Sequence, residues 1–252
     1  MALTIAFLSA AAFAAGLIDS IAGGGGLISL PALLAAGVPP HIALGTNKLQ
    51  SMSGTAVALA NFHRHAKVLW KIAAIGVPFS LAASVLGAKL ALIIPPSALG
   101  KALVVALPPA AILMFMSKSI LHPVGIHQPH GTRLWMPTIG ACSIVGLYDG
   151  FFGPGTGTFL IVALVLFSHI TLLNASATAK TFNLASNVGA FVAFAYSGNV
   201  NYKIGIAMAL ANIAGGYAGS RMAIRRGDAF VRRMLMVAVA LLFGYLVWKY
   251  YM

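Results

Sequence analysis

A chain of 252 residues that is 60% hydrophobic and only 8% charged has too little polar surface to coat a water-soluble globule. Its mean hydropathy of +0.94 indicates an integral membrane protein with a lipid-covered exterior. The formal net charge of +13 reads mainly as a topology signal, with attraction of anionic lipid or solute as a second contribution, and it does not indicate nucleic-acid binding.

A helix needs roughly 20 apolar residues to cross about 30 Å of hydrocarbon. Hydropathy predicts about ten helical segments, roughly 3–22, 26–37, 46–62, 70–93, 98–117, 134–151, 156–168, 176–197, 203–223 and 230–250. The second and seventh are too short to span fully. Leu3 to Ile18 has no basic stretch ahead of it and leads into a motif that recurs later, so it is expected to stay in the mature chain rather than act as a removable signal peptide. Pro39-Pro40, Pro95-Pro96 and the strip from His122 to Gly131 mark breaks, while Pro108-Pro109 is expected to kink the fifth helix. The expected fold is an all-α polytopic membrane protein with about 8–10 membrane segments, forming one transmembrane domain over residues 1–252.

The chain reads twice. GLIDSIAGGGG from Gly16 to Gly26 returns as GLYDGFFGPGTG from Gly146 to Gly157, carrying Asp19 onto Asp149 and Gly23 onto Gly153. Further along, Thr46, Lys48, Val68, Lys71 and Gly87 fall onto Thr178, Lys180, Val200, Lys203 and Gly219. Charge is costly in hydrocarbon and glycine interrupts helices, so a repeated aspartate beside a repeated glycine cluster points to a transport pathway near the bilayer midplane. Arg64, Lys67 and Lys71, and Arg221, Arg225, Arg226, Arg232 and Arg233, belong on the cytoplasmic side by the positive-inside rule. The second-half equivalent of the first basic loop, Ser197 to Lys203, then lies outside. Equivalent loops on opposite faces predict two inverted repeats, about 1–120 and 132–252, with both termini on the non-cytoplasmic side.

The candidate site follows from these repeats. Helix starts inside the membrane offer free backbone N–H groups and a positive dipole end, so Gly24, Gly25 and Gly26, with Gly153, Gly155, Thr156 and Gly157, are candidates to cradle an anion. Small residues also let helices approach, as Ala83 and Gly87 or Gly215 and Gly219 are placed to do. Two polar stripes suggest a cavity wall. Thr46, Asn47, Lys48, Gln50 and Ser51 form the first, and Thr178, Lys180, Asn183, Ser186 and Asn187 the second. The lysines are natural partners for an anion, the alternative being that they snorkel to the membrane surfaces; Asn183 and Asn187 serve equally as interhelical glue. Asp19 and Asp149 have three open roles: coupling protons to transport, neutralising Lys48 and Lys180, or capping the helix that follows.

Other chemistries find little support. His122, His127 and His130 share a loop with no acidic or cysteine partner, His63 and His65 extend the basic rim, and Cys142 stands alone, so no metal and no cofactor is expected. Gly23 to Gly26 lacks the Lys-Ser/Thr ending of a phosphate loop, which argues against nucleotide-driven transport. No catalytic constellation has the spacing of a hydrolase, so an enzyme is not expected.

GLIDSIAGGGGLISLPAL from Gly16 to Leu33, GTNKLQ from Gly45 to Gln50, GLYDGFFGPGTGTF from Gly146 to Phe159 and ATAKTFNLASNVGA from Ala177 to Ala190 resemble the TauE/SafE-type membrane permeases, named for exporters of sulfite and organosulfonates. The resemblance implies a bacterial inner-membrane permease for a small sulfur-containing anion; the inverted repeats point to a secondary-type carrier, and Asp19 and Asp149 make protons a candidate coupling ion. The residues leave two alternatives open, a passive anion channel, since a basic pore conducts without coupling, and a non-transporting structural membrane protein.

Overall fold

The computed structural model describes residues 2–65, 67–99, 101, 135–168 and 170–251; the expected fifth helix beyond Lys101, its Pro108-Pro109 kink and the strip from His122 to Gly131 lie outside them. Among the described residues helix is the only regular structure, as lipid demands of a backbone that must satisfy its own hydrogen bonds. The helices are α1 (Ala2–Ala22), α2 (Gly26–Ala35), α3 (Pro40–Arg64), α4 (Trp70–Ile93), α5 (Trp135–Phe151), α6 (Thr156–Ser168), α7 (Leu172–Tyr196) and α8 (Tyr202–Tyr251).

By length and composition α1 and α4 are apolar enough to cross a membrane. The 25-residue helices α3 and α7 are as long, but buried polar side chains lower their hydropathy. With 10 and 13 residues, α2 and α6 reach only about half to two-thirds of the hydrocarbon thickness. Two boundaries differ from the hydropathy reading. Helix α3 starts at Pro40 rather than near Thr46, because Pro39 is extended and proline suits the first helical position, where its missing N–H has no intrahelical partner to lose. The expected gap between the ninth and tenth segments narrows to one non-helical residue inside α8, Gly227 (φ 67°). Asp228, just beyond it, accepts the Leu173 N–H at 2.6 Å and so caps the start of α7 together with Thr171.

The long helices pack in the order α1, α8, α3, α7, α4, α5, a row that reads the same from either end once the duplication maps α1 onto α5, α3 onto α7 and α4 onto α8. Glycine sets the close approaches. A Cβ at Gly215 or Gly219 would run into the backbone of Phe13 or Leu17 on α1, and one at Gly87 into Leu147 on α5. At the centre α3 and α7 run antiparallel: the Asn201 N–H donates to Thr46 Oγ1 at 2.9 Å, and the Leu69 N–H donates to Thr178 Oγ1 at 3.1 Å.

Two apolar clusters leave a polar layer between them. One gathers Ile21, Phe62, Leu160, Leu173 and Phe182, the other Leu8, Leu30, Leu44, Phe194 and Met208. Along α3, Lys48 and Ser51 fall between Leu44 of one cluster and Phe62 of the other; along α7, Asn183 and Asn187 fall between Phe182 and Phe194. Outside, Leu86, Leu90, Ile206 and Leu210 are exposed, an apolar surface suited to lipid. Trp70 and Trp135 are half exposed at the starts of α4 and α5, and Tyr196 and Tyr202 are exposed at the opposite ends, an arrangement suited to the two interfaces of a bilayer.

Candidate functional site

Both glycine tracts interrupt helices. After α1, Gly23 takes φ 80° and the chain restarts as α2; after α5, Gly153 and Gly155 take φ 94° and 83° and the chain restarts as α6. The two turns meet backbone to backbone. Thr158 donates its N–H to the Gly23 carbonyl at 3.2 Å and its hydroxyl to the Ala22 carbonyl at 2.6 Å. A side chain at Gly23 or Gly157 would collide with the opposite turn.

Beside this crossing lie two buried ion pairs, each linking one half of the chain to the other. Lys48 Nζ is 2.8 Å from Asp149 Oδ1, with the side chains 1% and 2% exposed. Lys180 Nζ is 2.9 Å from Asp19 Oδ2, with exposures of 0% and 17%, and also donates to the Asp19 backbone carbonyl. The lysines therefore do not snorkel to the membrane surfaces. Asp19 further accepts from the Gly25 N–H at 3.4 Å, from Thr55 Oγ1 at 3.4 Å and from Asn183 Nδ2 at 3.5 Å. Asp149 Oδ1 accepts the Thr156 hydroxyl at 2.7 Å, while its buried Oδ2 has no hydrogen-bond partner among the described residues. Each carboxylate thus neutralises a lysine and also contacts the residue at which, or just before which, the next helix begins.

Between the pairs is a polar cavity with room for about one water molecule. Its wall contains Asp19, Asn47, Lys48, Ser51, Asp149, Thr156, Asn183 and Asn187, with Gly23, Gly26, Gly153 and Gly157 from the turns. Asn47 Oδ1 accepts from the Ser29 hydroxyl at 2.6 Å and from Gln50 Nε2 at 2.9 Å, so both orient Asn47. Asn187 donates to Asn183 Oδ1 at 3.0 Å along the same helix.

Not every expected residue reaches the cavity. Thr46 and Thr178 hold the loops after the opposite helix, Gln50 stands behind Asn47, and Gly24, Gly25, Gly155 and Lys180 are not part of the wall. Gly23 lines it although only Gly24 to Gly26 were expected to, and the signal for it was its match to Gly153; Ser51 of the first polar stripe lines it as well, four residues beyond Asn47 on the same helical face.

The family described as "Sulfite exporter TauE/SafE" matches residues 8–246. The chain belongs to the TauE/SafE family. Among relatives of this TauE/SafE chain, the "Probable membrane transporter protein ORF9" of a Sinorhizobium species is 41% identical over 240 residues, covering 92% of this chain and 88% of that protein. A "Probable membrane transporter protein" of Haemophilus influenzae is 34% identical, covering 92% and 90%. YfcA of Escherichia coli K12, which carries the same description, is 32% identical, covering 92% and 85%. No solved structure matches this TauE/SafE family chain. It is a membrane transporter protein by family.

Proposed function

We propose that the chain is a secondary-type permease that carries a small sulfur-containing anion, such as sulfite, a sulfonate or a related organic anion, across a bacterial inner membrane, with protons as the coupling ion. The observation that carries this reading is the crosswise pairing of Lys48 with Asp149 and of Lys180 with Asp19, beside two turns where helices restart. Ammonium groups and helix starts are two devices by which a protein holds an oxyanion, and here both are gathered in a polar layer between apolar clusters. The carboxylates cancel the ammonium charges while no solute is bound, so that the unloaded site carries no net charge into the membrane.

In this reading the chain is one transmembrane domain of two inverted repeats, about 1–120 and 132–252, with both termini on the non-cytoplasmic face. The antiparallel course of α3 and α7 and the reciprocal contacts of Thr46 and Thr178 support it. The solute would sit between the two turns, where the cavity must widen to admit it, and alternating rearrangement of the halves would open that space to one side and then the other.

The test is uptake by proteoliposomes of sulfite, sulfate, thiosulfate, taurine and sulfoacetate, with and without an imposed pH gradient. Saturable flux of a sulfur oxyanion, accelerated by the gradient, is the expected result. Unsaturable flux that follows voltage alone would make the protein a passive channel, and no flux of any anion would leave a structural membrane protein.

A further inference from the structure

We infer that the two ion pairs divide the work: Lys48 and Asp149 exchange, one monovalent oxyanion replacing the carboxylate on Lys48 while Asp149 takes up one proton, whereas Lys180 and Asp19 form a fixed strut. This rests on the permease reading above and gives it a stoichiometry and a charge class of substrate.

The surroundings of the pairs differ although the duplication made them equivalent. Lys48 lines the cavity and is held by Asp149 Oδ1; Lys180 is not part of the wall and is held by both the carboxylate and the backbone carbonyl of Asp19. Removing the carboxylate interaction frees Lys48 for a solute but leaves Lys180 tethered. The carboxylates differ in the same sense. Both Asp19 oxygens have partners, drawn from Gly25, Thr55, Lys180 and Asn183. Asp149 receives Lys48 and Thr156 on Oδ1 alone, which leaves Oδ2 buried without a partner among the described residues, a costly state for a carboxylate oxygen and a ready place for a proton.

The charged and titratable groups around Asp149 are few. Lys48 faces it from α3, Thr156 is its neutral partner from α6, and Asp19 stands across the cavity on α1; the adjacent Tyr148 directs its hydroxyl to the Pro154 carbonyl at 2.7 Å. Lys48 is therefore the one cation on the cavity wall among the described residues. In the exchange a proton from water on the open side forms an O–H bond at Asp149 Oδ2, the contact to Lys48 Nζ is released, and the oxyanion takes that place. The site is neutral before the exchange, Lys48 against Asp149, and neutral after it, Lys48 against the bound anion beside a protonated Asp149. The loaded site thus crosses without moving net charge, whereas a dianion leaves one negative charge uncompensated in a low-dielectric layer and is rejected.

The experiment uses the full chain in proteoliposomes, with a trapped pH dye, a clamped membrane potential, and methanesulfonate, sulfite and sulfate as solutes. Expected are one proton taken up per methanesulfonate, flux indifferent to the potential, and sulfate at least about tenfold slower, which is about 1.4 kcal/mol of discrimination. Asp149→Asn should carry methanesulfonate without acidification and become sensitive to the potential, while Asp19→Asn should retain the proton-to-anion ratio at whatever rate it runs. Saturable but potential-driven wild-type flux, sulfate equal to methanesulfonate, or loss of coupling in Asp19→Asn instead of Asp149→Asn overturns the division of labour and leaves the permease reading standing. Absence of flux for all three solutes overturns both. If Asp149→Asn fails to fold, Asp19→Asn decides between the pairs, an unchanged proton-to-anion ratio supporting the inference and a lost one overturning it.

Discussion

Lys48 of the first half and Asp149 of the second hold each other at 2.8 Å with both side chains almost wholly buried. Removing one partner strands the other, so Lys48→Met should cost about 3–5 kcal/mol of stability. The double variant Lys48→Met with Asp149→Asn should recover most of that loss while remaining unable to transport. Thermal unfolding of the detergent-solubilised single and double variants measures the coupling, and losses that simply add would show that the pair contributes nothing as a pair.

Thr178 serves the loop after α3 rather than the cavity, since its hydroxyl accepts the Leu69 N–H at 3.1 Å. Thr178→Val keeps the shape and removes the acceptor, which should destabilise by about 1–3 kcal/mol through an unpaired N–H. Anion uptake per folded molecule should persist. A variant that is fully stable yet inactive would instead assign Thr178 to the binding wall.

Close helix contact makes a sharp comparison on α4. Gly87 is buried against the Leu147 backbone, whereas Ala83 one turn earlier is only partly buried. Gly87→Val should cost about 1–3 kcal/mol or more by overpacking, and Ala83→Val clearly less. Equal melting shifts for the two would contradict the packing described for α4 and α5.

Thr158 ties the two turns together through the Ala22 and Gly23 carbonyls. Thr158→Val removes the hydroxyl bond but keeps the N–H, so stability should fall by about 1–3 kcal/mol and transport rate should fall with it, because the turns shape the cavity. Paired measurements of melting temperature and initial uptake distinguish this from Thr178→Val, where only stability moves.

Much of this arrangement was readable from residue order. The glycine strings located both helix interruptions, scarcity of charge singled out the two aspartates and two lysines, and the repeat showed that they come in equivalent sets. Hydropathy missed the start of α3 because it does not register a proline entering its first turn, and it widened the break at Gly227 because the flanking arginines are polar without unwinding the helix. Sorting the α3 stripe required strict helical phase: Asn47, Lys48 and Ser51 share the cavity face, while Thr46 and Gln50 point elsewhere. Which aspartate meets which lysine was not legible, because that depends on the lateral order of helices far apart in the chain.

The partner of Asp19 is Lys180 and the partner of Lys48 is Asp149, so neither half contains a matched set of its own. During synthesis the leading part of the chain must wait in the membrane, or in the insertion machinery, with an orphan acid and an orphan base until the trailing part emerges. A truncated product would display that mismatch to surveillance proteases, and separately expressed halves should survive only when made together.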